Sequence, residues 1–219
     1  MIQSYYVDKY RALIDKIEQI ESSNKNKIRL VVVSKNQDLE KIVTLRKLGQ
    51  KDFGENYVDE AYEKINSIAD DSITWHFIGR IQSNKIKKIC NLFSWVHTIS
   101  SEKHLIKINE TCMDINKVMN ICVQINIDCE ESKDGIYFED FQKLSSYALE
   151  LKYVKLRGIM AIPRADKPPD HSFSKMSSLY HKHNYLDTLS MGMSSDFLTA
   201  IENDANMLRI GQEIFGKRI

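Results

Sequence analysis

The chain reads as an α/β protein, a single (β/α)8 barrel (TIM barrel) with an extra helix in front. Three observations predict this. Apolar, β-branched runs suited to buried strands alternate with segments whose apolar residues recur at three- and four-residue steps, at an even interval through 219 residues. That length lies near the small end of the range for such barrels, about 200 to over 400 residues. No G-x-G-x-x-G follows any strand, which weakens the competing architecture, a doubly wound open sheet. No stretch rich in Gly, Ser or Pro divides the chain, so residues 1–219 count as one domain.

The elements follow in order. Ile2, Tyr6, Tyr10, Leu13, Ile17 and Ile20 form the apolar stripe of a leading helix, with Tyr6 and Tyr10 as packing residues, and a polar stretch over 21–27 ends it. Leu30-Val31-Val32-Val33 is the first strand, with Ser34-Lys35 at its end. A helix over 38–48 comes next; Asp38 is suited to cap it through its side chain and Gly49 to close it. Residues 51–56 make a short strand and turn, and Tyr57 or Val58, with Ala61, Tyr62 and Ile65, starts a helix. Residues 73–79 form a strand closed by Gly79, 84–90 a short basic helix, and 94–99 a fourth strand. Ser101 caps a helix reaching about 114. Residues 118–127 are a long apolar strand, followed by a helix marked by Phe141, Leu144, Ala148 and Leu151. Residues 156–162 form the sixth strand, 164–170 a loop, and Phe173, Met176, Tyr180 and His183 a helical face. The pattern ends with a strand over 187–191, a helix over about 195–203, a strand over 207–211 and a short tail.

Composition excludes several classes. Thirty-one Lys and Arg balance 30 Asp and Glu, which argues against a long-range footprint for nucleic acid or an anionic membrane. Cys90, Cys112, Cys122 and Cys129 form no C-x-x-C and no metal spacing, and suit a reduced cytosol. Asp8, Lys9, Arg11, Asp15 and Lys16 interrupt any leader-like apolar run, and no stretch reaches membrane-span length. A soluble cytoplasmic protein with no nucleic-acid or membrane partner is expected. His181 and His183 do not share a helical face, so they make no metal pair. His76 reads as a hydrogen-bonded strand histidine, Glu55 as a structural carboxylate rather than a general base, and Ser83, Lys85, Lys87 and Lys88 as a solvated helix face.

A barrel builds its active site where strands end, so strand-end residues carry the functional reading. These are Lys35, Asn56, Gly79, Thr98, Asn126, Pro163, the run 190–194 and Arg209-Ile210-Gly211. The loops after strands seven and eight commonly bind phosphate in this fold, and a helix start and a glycine both favour an anion there. An amine at strand one, a phosphate site at strands seven and eight and an arginine beside it point to a phosphorylated aldehyde held as a Schiff base.

Seven collinear blocks carry a more specific signal. They are Val33-Ser34-Lys35, Phe53-Gly54-Glu55-Asn56-Tyr57, Trp75-His76-Phe77-Ile78-Gly79 with Gln82-Ser83-Asn84-Lys85, and Gln124-Ile125-Asn126-Ile127. They continue through Arg157-Gly158-Ile159-Met160-Ala161-Ile162-Pro163, Leu189-Ser190-Met191-Gly192-Met193-Ser194 and Arg209-Ile210-Gly211, and so span nearly the whole chain. Together they resemble the pyridoxal phosphate homeostasis protein family, whose barrel is that of the alanine racemase N-terminal domain, the type III fold of pyridoxal-phosphate proteins. The resemblance implies that Lys35 forms the internal aldimine with pyridoxal 5′-phosphate and that Asn56 lies beside the cofactor. Ser194, Gly211 and the amide of Gln212 would hold the phosphate, with Ser190 and Met191 in the same cofactor-binding set. Arg209 would face the pyridine nitrogen; a guanidinium cannot accept the ring proton, which makes the ring a poorer electron sink. Two positions depart from the family pattern. Arg80 follows Gly79 and adds positive charge at the rim, and Gln212 replaces the usual hydroxyl residue, which implies weaker phosphate binding.

The resemblance implies a monomeric carrier that buffers pyridoxal phosphate or delivers it to apo-enzymes that use it. The alternative is an amino-acid racemase. Racemisation needs acid/base groups on both faces of the substrate, and in related racemases the second is a tyrosine brought by a partner subunit with an extra β-domain. This chain stops soon after strand eight, which favours the carrier. A phosphate-binding barrel in which Lys35 is merely electrostatic is the more distant option.

Overall fold

A computed structural model describes residues 2–24 and 27–216. The side chain of Ile2, residues 25–26 of the polar stretch and the last residues of the tail, 217–219, lie outside them. Eight strands, β1 (Arg29–Val33), β2 (Asp52–Glu55), β3 (Thr74–Phe77), β4 (Trp95–Ile99), β5 (Met119–Ile125), β6 (Val154–Ala161), β7 (Thr188–Ser190) and β8 (Met207–Ile210), close into a barrel in sequence order. Every neighbouring pair is parallel, including β8 with β1. The leading helix α1 (Ile2–Asn24) is followed by α2 (Leu39–Lys47), α3 (Val58–Ile68), α4 (Ile86–Leu92), α5 (Glu102–Asp114), α6 (Phe141–Glu150), α7 (Asp170–His181), α8 (Phe197–Glu202) and α9 (Gln212–Phe215). No helix among the described residues is long and apolar enough to cross a membrane.

Strand residues alternate between two environments, because successive side chains point to opposite faces. Outward residues such as Leu30, Val32, Phe53, Ile121, Leu189 and Leu208 join the large core between strands and helices. Inward residues make a smaller cluster of Val31, Trp95, Cys122, Met160 and Met207. Trp95 also carries two guanidiniums against its ring, Arg29 at 5.5 Å and Arg157 at 5.0 Å from the centroid. The other inward positions are polar, with His76, His97, Ser190 and Arg209 all buried beside this apolar cluster.

Tyr6, Tyr10, Leu13 and Ile17 are buried along α1, as their spacing predicts, and the Tyr10 hydroxyl donates to Gln50 Oε1 at 3.1 Å. Ser101 caps α5 by accepting from the His104 amide. Asp38 does not cap α2 through its side chain. Its exposed carboxylate turns toward Lys41 Nζ, 3.7 Å away, because the lysine lies one turn along the helix. Gly49 closes that helix with φ +103°. Two helices start later than the periodicity suggests. α4 begins at Ile86 because the amide of Lys85 turns back to the Gln82 carbonyl. α8 begins at Phe197 because the Asp196 carboxylate accepts from the Met193 amide at 2.6 Å and holds 194–196 as a turn.

Candidate functional site

The C-terminal ends of β1, β2, β3, β6, β7 and β8 surround a cavity of about 260 Å³. Lys35 and Asn56 form one wall, and Ser194, Ser195, Gly211 and Gln212 form another. Val33, Ile78, Ile162 and Met193 supply apolar sides, and Arg209 reaches it from the barrel interior. The polar groups are few and convergent, the usual make-up of a small-molecule site.

Lys35 stands just past β1 on a tightly held turn. The Gln37 amide donates to the Ser34 carbonyl at 3.0 Å, and Asn36 adopts the left-handed conformation, φ +57°, which asparagine tolerates better than most residues. Beneath the turn, buried Lys64 donates to the Ser34 carbonyl at 2.6 Å and to Glu55 Oε1 at 2.8 Å. The Ser34 hydroxyl donates to the same Glu55 oxygen at 2.7 Å, while Glu60 accepts from both Lys64 and the Asn36 amide. Glu55 is therefore a fully buried member of a scaffold that brackets Lys35 on both sides. Burial raises its pKa, and the adjacent Lys64 opposes that rise.

The β7 and β8 ends meet at the opposite wall. Ser194 Oγ accepts from the Glu213 amide at 3.0 Å, tying the loop after β7 to the start of α9 and leaving the hydroxyl hydrogen available. Gly211 lets the end of β8 lie close against the end of β1: a Cβ there would stand 2.8 Å from the Val33 carbonyl oxygen. Arg209 is buried and donates from Nη1 to Ser190 Oγ at 2.7 Å and from Nη2 to the Ala161 carbonyl at 2.9 Å. Burial lowers its pKa to about 10, so it stays charged at neutral pH.

Lys35, Asn56, Ser194, Arg209, Gly211 and Gln212 therefore line one cavity. Ser190 and Met191 do not: Ser190 lies deeper in the barrel under Arg209, and Met191 packs into the core between strands and helices. Ile78 and Ile162 also line the cavity, although they are not among the strand-end residues that the sequence singles out. They immediately precede Gly79 and Pro163, and counting the inward alternation one residue further back finds them. Arg80 stands at the rim, largely exposed, with Nε 3.3 Å from Asp134 Oδ2. His76 is bonded on both ring nitrogens, to Asp52 and His97. Lys85 and Lys88 pair with Asp59 at the surface. Among the described residues no group of His, Cys, Asp and Glu could hold a metal ion.

The family model described as alanine racemase, N-terminal domain, matches residues 9–218. A pyridoxal phosphate homeostasis protein of Haemophilus influenzae is 38% identical over 209 residues, covering 90% of this chain and 88% of its own length. The protein of that name in Escherichia coli K12 is 36% identical over 201 residues, covering 87% of this chain and 86% of its own. PipY of Synechococcus elongatus PCC7942, in a structure with pyridoxal phosphate bound, is 27% identical with a TM-score of 0.79, over 91% of this chain and 99% of that one. An alanine racemase of Clostridium difficile 630 shares the fold, with a TM-score of 0.73 at 16% identity, over 96% of this chain and 57% of that one. With more than a third of its residues shared across nearly the full length of such relatives, the chain belongs to the pyridoxal phosphate homeostasis proteins, a branch of the alanine racemase N-terminal-domain family.

Proposed function

We propose that this chain is a pyridoxal 5′-phosphate carrier: a single-domain barrel that holds the cofactor covalently through Lys35 and takes part in its intracellular homeostasis. The observation that carries the reading is one cavity joining a lysine at the end of β1 to a backbone-and-hydroxyl cradle at the ends of β7 and β8. The residues fit such a group. Asn56 Oδ1 is buried without a hydrogen-bond partner among the described residues, and position 211, where a Cβ would stand 2.8 Å from the Val33 carbonyl oxygen, keeps its backbone open to the cavity only as glycine. When bound, pyridoxal phosphate supplies an aldehyde that amines attack and an aromatic ring that can draw off electrons. Lys35 is the attacking amine, oriented by the scaffold of Lys64, Glu55 and Glu60. Ser194, Gly211 and the amide of Gln212 take the phosphate, with Gln212 contributing no hydroxyl. Arg209 offers the ring nitrogen a donor and accepts no proton, which keeps the ring a weak electron sink.

The lining supports a carrier over an amino-acid racemase. Of the described residues around the cavity, Lys35 alone can give and take a proton readily, whereas racemisation needs such a group on each face of the substrate. The carrier acts in the cytoplasm as a monomer and passes its cargo to apo-enzymes that require it. Incubation with pyridoxal phosphate followed by borohydride reduction and peptide mass spectrometry tests the reading. Label is expected on Lys35, and Lys35→Ala should stay colourless; an undiminished chromophore in that variant overturns the assignment. Exchange of amino-acid α-protons with D₂O at enzymatic rates would replace the carrier with a racemase.

A further inference from the structure

Below the cavity, a file of polar side chains runs through the barrel toward its opposite end. Arg209 Nη1 lies 2.7 Å from Ser190 Oγ, Ser190 Oγ 3.0 Å from His97 Nδ1, His97 Nε2 2.9 Å from His76 Nδ1, and His76 Nε2 2.9 Å from Asp52 Oδ1. The two ends determine every hydrogen between them. A guanidinium only donates and a carboxylate only accepts. Ser190 receives a hydrogen from Arg209, so its own goes to His97 Nδ1. His97 then carries its hydrogen on Nε2 and gives it to His76 Nδ1. His76 likewise carries its hydrogen on Nε2 and gives it to Asp52. The reverse order would set a bare nitrogen of neutral His76 against a carboxylate oxygen. Burial lowers the pKa of both rings, which favours the neutral forms this order needs.

We infer that His97 and His76 are positioning residues for Arg209: a one-directional hydrogen-bond chain from Arg209 to Asp52 fixes the guanidinium at the base of the cofactor cavity. Ala161 holds the other arm of the same fork, so the plane of the guanidinium is set from two sides. The identity of the ligand above Arg209 rests on the pyridoxal-phosphate reading; the order of hydrogens in the chain does not.

Two measurements test this. Long-range ¹H–¹⁵N NMR of ¹⁵N-histidine-labelled, cofactor-free protein at neutral pH should show His76 and His97 neutral, each with its hydrogen on Nε2. An Nδ1–H form or an imidazolium at either ring overturns the chain. The second is a double-mutant cycle on pyridoxal-phosphate affinity, read by absorbance. His97→Leu should weaken binding about tenfold, the scale of one bond to a charged group, and His97→Gln, which keeps a donor and an acceptor, by less than about threefold. In an Arg209→Ala background, His97→Leu should change nothing further. Equal losses in both backgrounds would reduce His97 to a packing residue and overturn the positioning role. A wild-type chain that binds no pyridoxal phosphate overturns the ligand reading, and the NMR result still decides the order of hydrogens. If a variant does not fold, the wild-type spectrum decides.

Discussion

Lys64 is almost wholly shut off from water, and its ammonium has three oxygens around it: the Ser34 carbonyl, Glu55 and Glu60. Replacing it with methionine leaves Glu55 buried as an unpaired charge, and breaking a buried pair in this way costs about 3–5 kcal/mol. Lys64→Met is therefore expected to lose that much in urea unfolding at about pH 7.5. The pH dependence has a definite sign. Burial already holds the Glu55 pKa above its ordinary value of 4.5, and without Lys64 nothing comparable opposes it. The folded state then keeps a proton that the unfolded chain releases, so the deficit shrinks as pH falls to about 5.5. An equal deficit at both pH values would remove Glu55 from the explanation. Lys35 is legible in the sequence because a lysine ending a β-branched strand stands out. Lys64 is not: two of its partners lie 30 and nine residues away, and the third, Glu60, gives it the look of an ordinary surface pair one turn apart on its own helix.

Gly79 shows how closely the ends of β2 and β3 approach. A Cβ there would stand 2.0 Å from the Asn56 carbonyl oxygen, and the Gly79 carbonyl is itself held by Thr98 Oγ1 at 2.7 Å. Gly79→Ala must push Asn56 aside. It is expected to cost about 1–3 kcal/mol in thermal or urea unfolding, and to weaken pyridoxal-phosphate binding in absorbance titration. Retained stability and affinity would mean that the two loops move apart freely. The strands themselves were legible, because buried parallel strands read as apolar runs. Helix starts were less so. Residues 84–85 and 195–196 look helical in sequence, and distant or turn-closing bonds decide otherwise, as at Asp196, whose carboxylate holds the Met193 amide. Ser190 illustrates the same limit inside the site: its motif placed it beside the ligand, and the inward pleat of β7 sets it one layer down, under Arg209.

At the scale of the whole molecule, closure into a barrel follows from eight strand–helix units, but the seams between strands cannot be read from the sequence. β5 and β6 match over seven pairs and β8 and β1 over four, whereas β7 and β8 meet at one, Ser190 opposite Met207. Native-state hydrogen exchange should find the amides of β7 opening before those of β5 and β6, and pyridoxal phosphate should slow them most. Uniform exchange around the barrel would contradict this. The two strands of this seam run on into the segments that carry Ser194 and Gly211. A carrier of the kind proposed must at some moment slacken its hold, and here the seam with a single matched pair leads up into the clasp itself, so unloading would need only a local breath and not the unmaking of the whole vessel.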